Sequence, residues 1–313
     1  MNATSDSKIF LRGFENLHDF KIPLFFMFFV IYMLTLTSNL LIIILVSTSY
    51  RLRSPMFFFL AHLSFSDLLV TTDIVPNMLL IILTDGGIVF LSGCLTQFFF
   101  YGVSATTECL LLSAMSYDRY LAICKPLHYN NIMNFKLCLN LIISLWALSC
   151  VLTVIPIYFL QTLRFCGVNV IDHFFCDLGP LLDLSCSDTF LVKLEVFATS
   201  TLLTIVPFIF ICVTYVYIII SILRISSNTG RQKAFSTCSS HLAVVCSFYG
   251  ALFAMYVVPS KEHSAINKGV SLMYTVVTPL FNPIIYSLRN QEIQMTIRKY
   301  LRTQKPHIKQ LNQ

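Results

Sequence analysis

The chain has 313 residues, 56% of them hydrophobic and 12% charged, with a mean hydropathy of +0.76. Soluble proteins carry about 25% charged residues, so this composition excludes a water-soluble globule. The net charge of +6 fits a basic face beside anionic lipid and sets nucleic-acid binding aside.

Residues 1–22 read as an extracellular N-terminus. They are polar and mixed in charge, without the short apolar core of a cleaved signal peptide. Asn2-Ala3-Thr4 is a sequon, so Asn2 is the expected glycosylation acceptor. Leu24 to Val46 is the first block long enough to cross a bilayer, which takes about 20 helical residues. Met56 to Leu83 and Cys94 to Ile123 follow, apolar but carrying a few acids. Leu137 to Leu160 and Val196 to Leu223 contain no charged residue. The long loop between them, Gln161 to Lys193, carries Asp172, Asp177, Asp183 and Asp188 and reads as a disulfide-pinned lid. Leu242 to Pro259, extended back over Ala234 to His241, and Gly269 to Leu288 complete seven helices. Pro207, Pro279 and Pro283 fall inside spans and are expected to kink them. Beyond Leu288, Ile293, Ile297, Tyr300 and Leu301 share one helical face flanked by Arg298, Lys299 and Arg302, the pattern of an amphipathic helix on the inner leaflet. No cysteine follows it, which excludes palmitoylation there.

The expected architecture is an all-α membrane protein. A seven-transmembrane-helix bundle fills residues 23–288, and a short amphipathic helix and tail fill 289–313. Continuous apolarity without period-two alternation excludes a β-barrel. With the N-terminus outside, 14 of the 21 basic residues fall on the cytoplasmic side, which orients the chain in the plasma membrane. Cys94, Cys166, Cys176 and Cys186 fall outside, where an oxidising compartment permits two disulfides in any of three pairings.

Three strings carry a resemblance: MSYDRYLAICKPLHY at Met115 to Tyr129, KAFSTCSSHL at Lys233 to Leu242, and PLFNPIIYSLRN at Pro279 to Asn290. With SPMFFFL at Ser54 to Leu60 and LSFSDLL at Leu63 to Leu69, they resemble odorant receptors of the rhodopsin-like superfamily, over nearly the whole chain. Two positions depart from that pattern: Ser38-Asn39 stands where Gly-Asn is usual, and Thr214-Tyr215 where Ser-Tyr is. The resemblance implies a receptor rather than an enzyme. It would bind a small volatile ligand and activate a stimulatory, olfactory-type heterotrimeric G protein, raising cyclic AMP. It implies that Arg119, within Asp118-Arg119-Tyr120, leaves a resting partner to support the G protein. Tyr215 and Tyr286 are then expected to swing toward it, with Asn282-Pro283 part of the switch. It implies a Cys94–Cys176 disulfide, which leaves Cys166 to Cys186.

Asp67 and Glu108 lie inside apolar spans, where an acid is costly and points to function. Packing is expected to gather them with Asn39 and Asn282. Either hydrogen bonds keep the two acids partly protonated, or a cation such as sodium neutralises them, as in related receptors. No other cofactor is implied.

For the ligand, inward turns counted back from Arg119 give Tyr101, Gly102, Ala105 and Thr106. The family's pocket positions correspond to Thr199, Ser200, Leu203, Leu252, Phe253, Tyr256, Leu272 and Thr275. Apolar walls with a few hydroxyls fit a small, mostly apolar, neutral molecule, and the lack of Lys or Arg argues against a carboxylate ligand. Any one of these Leu or Ala residues taken alone reads better as bundle packing. Gly269 to Leu288 lacks the lysine of a retinal Schiff base, and no Asp stands near Tyr101 as an amine receptor would usually place it. The paired repeats of a transporter are absent. His62 and His241 form no catalytic set, and His173 with its neighbouring acids would bind a metal only weakly.

Overall fold

The computed structural model describes residues 8–14, 17–166, 169–257 and 264–300. Its long helices are α1 (Lys21–Thr48), α2 (Pro55–Thr84), α3 (Leu91–Cys124), α5 (Phe135–Thr162), α7 (Phe190–Leu223) and α8 (Asn228–Val257). The seventh span begins as α9 (Ser264–Leu272), passes through a π-helical segment, Met273–Val277, and ends as α10 (Thr278–Arg289). Short helices α4 (Pro126–Ile132) and α6 (Leu178–Asp183) sit in loops, and residues 291–300 form a last helix, α11. Seven of these helical runs are long and apolar enough to cross a membrane. Only helices and closed barrels satisfy every backbone group in lipid, so long uncharged runs fold this way.

Local chemistry sets the helix ends. Pro55 opens α2, where its missing N–H costs nothing. Asn134 caps α5 by accepting from the Leu137 amide at 2.9 Å, and Asn290 caps α11 through the Glu292 amide at 3.0 Å. Burial then sorts the helices. Half of the α2 window is buried, against 22% for α1 and for α5, so α2 and α3 form the centre and α1 and α5 present apolar faces outward. Phe29, Leu34, Val151 and Phe208 stand on such faces, where lipid rather than water can solvate them.

One end of the bundle carries a lid that hydropathy did not foretell. Strand β1 (Lys8–Leu11) lies between β2 (Gly87–Phe90), antiparallel with Ile9 opposite Val89, and β3 (Val170–Ile171), parallel with Phe10 opposite Val170. Alternation buries Ile9 and Leu11 and turns Lys8 and Phe10 out. The turn into β2 needs Gly86, whose φ is +119°; a Cβ there would lie 2.3 Å from the Phe10 ring. Cys94 pairs with Cys176 and Cys166 with Cys186, with Cα separations of 5.4 and 5.9 Å. The loop is also tied to α9 by Lys268 and Asp172, 2.6 Å apart.

Two boundaries differ from the apolar blocks. Helix α7 starts at Phe190 and so takes in Lys193 and Glu195, and α8 starts at Asn228. Apolarity marks the hydrocarbon layer, whereas the hydrogen-bonded helix runs on past it. In α11, Ile293 is buried, Ile297 packs on the core and the Tyr300 hydroxyl donates to Thr48 Oγ1 at 2.7 Å. Leu301 and the sequon at Asn2 lie outside the described residues.

Candidate functional site

A cavity of about 280 Å³ opens beneath the lid among α3, α5, α7, α8 and the π-helical segment. Tyr101, Gly102, Ala105, Thr106, Thr199, Ser200, Leu203 and Leu252 line it together. Three expected positions do not. Phe253 is 69% exposed, because the inward stripe of α8 runs through Phe248 and Leu252 and leaves the next residue facing out. Leu272 packs with the cluster around Phe174 and Phe175. Thr275 is fully buried, with its hydroxyl donating to the Ser271 carbonyl at 2.8 Å. The π turn shifts helical phase between these two residues and presents Tyr274 to the cavity instead. The Tyr256 side chain lies outside what is described.

Several lining residues escaped helical counting. Leu152, Thr153 and Pro156 enter from α5 because Gly102 lets α3 approach it: a Cβ at Gly102 would stand 2.7 Å from Thr153 Cγ2. Asp177 and Leu178 enter from the loop, where no periodicity exists to signal them, and Glu195 from the extra turns of α7. The wall thus holds three carboxyls, Glu108, Asp177 and Glu195, with no Lys or Arg among the described lining residues. Thr199 Oγ1 donates to Glu195 Oε1 at 3.0 Å, while Glu195 Oε2 is buried without a partner. Asp177 Oδ1 accepts from the Leu178 amide at 2.9 Å; burial raises this carboxyl above its usual range and that bond draws it part of the way back. Nearby in the lid, burial lowers the His173 imidazole to about 3, aided by the Lys268 ammonium and opposed by Asp172.

Deeper in the bundle, Asn282 Nδ2 donates to both Asp67 oxygens, at 3.0 and 3.1 Å. Asp67 lies beside Glu108, and two close buried carboxyls cannot both ionise cheaply. Pro283 has no N–H to offer the Pro279 carbonyl one turn earlier, and Asn39 Nδ2 fills that role at 2.9 Å. Asn39 Oδ1, Asn282 Oδ1 and Ser104 Oγ are buried without partners.

At the end opposite the lid, Asp118 is fully buried. Arg119 donates to Asp118 Oδ2 through Nε at 3.0 Å and through Nη2, and the Tyr129 hydroxyl donates to Oδ1 at 2.7 Å. Arg119 lines a recess with Ser54, Gln232, Ser236, Ser240 and Asn290. Tyr215 does not reach it here. Its hydroxyl meets His241 Nδ1 at 2.8 Å, while His241 Nε2 meets the Leu112 carbonyl at 3.1 Å. A carbonyl only accepts, so Nε2 carries the proton and Nδ1 accepts from Tyr215. His241 thereby joins α3, α7 and α8, a role that the sequence reading did not assign it. Tyr286 is buried with its hydroxyl unpartnered. Tyr120 packs against Tyr117 and Tyr217 rather than in the recess.

The sequence profile of the olfactory receptor family matches residues 28–304. Human Olfactory receptor 11L1 is 44% identical over 302 residues, covering 96% of this chain and 94% of that one. Mouse Olfactory receptor 5G25 is 46% identical over 294 residues, covering 94% and 92%.

Proposed function

The chain belongs to the olfactory receptor family, and on that premise we propose that a small, mostly apolar volatile ligand, held in the cavity beneath the lid, opens the Arg119 recess to a stimulatory, olfactory-type G protein and so raises cyclic AMP. The observation that carries this reading is the pairing of two openings in one bundle: a largely apolar cavity at one end and an arginine-lined recess at the other. The protein is a multi-pass membrane receptor and not an enzyme. The lid faces outward in this reading, which its disulfides favour, and the Arg119 end faces the cytoplasm. Ligand shifts the population toward whichever arrangement binds it better, and that differential affinity is the signal.

The Arg119 end is built to rest closed. Asp118 holds Arg119, and His241 holds Tyr215, so opening requires both to be released. Between the ends, Asn39, Asp67, Glu108 and Asn282 fit a monovalent cation such as sodium: the acids supply charge, and the buried oxygens of the two asparagines lack other partners. A cation there would neutralise the paired carboxyls and favour the closed bundle.

Arg119→Ala tests the coupling. We expect it to abolish the cyclic AMP response to ligand while surface level and ligand-induced thermal stabilisation stay near wild type. A normal cyclic AMP response would end this reading.

A further inference from the structure

We propose that the ligand is basic: a small alkyl or arylalkyl amine, bound as its ammonium by Glu195 of α7 and Asp177 of the lid, with its hydrocarbon part against the α5 and α8 walls. The inference rests on the receptor reading and replaces the neutral ligand that sequence suggested.

The cavity is defined by its shape and apolar walls; the acids decide what can enter. Three carboxyls face a space of about 280 Å³ with no Lys or Arg among the described lining residues. Glu108 lies deeper, beside Asp67, which leaves Asp177 and Glu195 at the mouth of the cavity. Both lie at the lid end, since their chain neighbours Leu178 and Val196 pack on one hydrophobic cluster. An ionised carboxylate has room for about four hydrogen bonds. Glu195 has one from Thr199, and its second oxygen is shut from solvent with no donor. Asp177 has one backbone amide. Burying a charge is costly unless it is paired and hydrogen-bonded, and this wall supplies no countercharge.

An ammonium supplies what is missing: a positive charge and three N–H donors. An alcohol brings one donor and no charge, and a carboxylic acid would meet its own charge in the wall. The rest of the lining near α5 and α8, including Leu152, Pro156, Phe248 and Leu252, is apolar and suits a hydrocarbon tail. The volume lies just under the roughly 300–1,000 Å³ of drug-sized sites, which limits the tail to a small molecule.

The test uses the full-length receptor and three matched series, n-alkyl amines, alcohols and carboxylic acids of about five to eight carbons. Two readouts are taken: ligand-induced melting shift of the purified receptor, and nucleotide exchange on the G protein. Amines should act at concentrations roughly tenfold or more below the matched alcohols, a gap of about 1.4 kcal/mol per decade. Glu195→Gln, which keeps an oxygen for Thr199, and Asp177→Asn, which keeps the oxygen that caps α6, should each erase most of that gap by weakening the amines far more than the alcohols. Unliganded melting and surface level confirm that both variants fold. The inference is overturned if alcohols or acids match the amines, if amines produce no melting shift, or if neither variant alters amine potency. A melting shift by amines without nucleotide exchange would uphold the ligand class and end the coupling reading. Exchange driven by alcohols alone would do the reverse.

Discussion

Asp118 accepts from two neighbours at once, and this sets what a single residue can change at the Arg119 end. Arg119 and Tyr129 share its carboxylate, so removing the Tyr129 hydroxyl leaves one oxygen without its donor in a buried place. A hydrogen bond to a charged group contributes about 1.5–3 kcal/mol. Tyr129→Phe should therefore favour the open recess and raise ligand-independent nucleotide exchange by roughly tenfold, the change that about 1.4 kcal/mol gives. Basal exchange at matched surface level is the measurement, and an unaltered basal rate would reduce Tyr129 to a packing residue. Asp118 and Arg119 were legible in sequence because they sit in a contiguous string. Tyr129 closes the same string, but nothing local says that its hydroxyl returns to Asp118. His241 was harder still, since its partners Tyr215 and Leu112 lie on other helices.

Elements were legible where hydropathy alone decides them, and phase within them only while the helix stayed regular. Counting from Arg119 along α3 reached the cavity correctly in space, because α3 has no break between the two points. The positions carried over from the family missed on the seventh span, where the π segment adds a residue to the turn, and went one too far on α8. Close helix contact was also invisible, since it depends on what faces a small residue. Gly102 is the case in point: an added methyl meets the stiff, β-branched Thr153. Gly102→Ala should force α3 and α5 apart, cost about 1–3 kcal/mol, and lower both melting temperature and ligand potency. Gly93, on the same helix with open space at its Cβ, is the control, and its alanine variant should melt as wild type does. Equal melting of the two variants would dispose of the close-contact argument.

The whole molecule is a membrane bundle with a water-facing lid, and the two halves obey different rules. The bundle was readable from apolar blocks. The loop and its disulfides were readable too, but not the sheet, because its strands are four, four and two residues long and find partners far along the chain. The disulfides were one choice among three by spacing alone, and the pairing that the resemblance implied is the one present. The lid also gives the molecule an acid limit. Burial holds His173 neutral in the fold, at about 3, whereas an unfolded loop titrates near 6.5. Below about 6.5 the unfolded lid takes up a proton that the folded lid refuses, so lid stability is complete above that pH and falls toward 3. Asp177 works in the opposite sense, because its raised carboxyl is protonated first in the fold. Hydrogen exchange of residues 169–177 between about pH 7 and 4 should show increasing opening, and His173→Leu should flatten the dependence. An identical slope in that variant would move the effect to another group.

The middle place of β1 in its sheet has a consequence for how the protein is made. That strand leaves the ribosome first, yet β2 follows only after two spans and β3 only after four. At about 5–20 residues per second, the interval between Leu11 and Ile171 is on the order of ten seconds or more, during which Ile9 and Leu11 lack the β3 side of their cover. The first of the three strands to be made is thus seated only when the last is complete. A nascent receptor thus passes through a stage with four spans made and its cap still open on one edge.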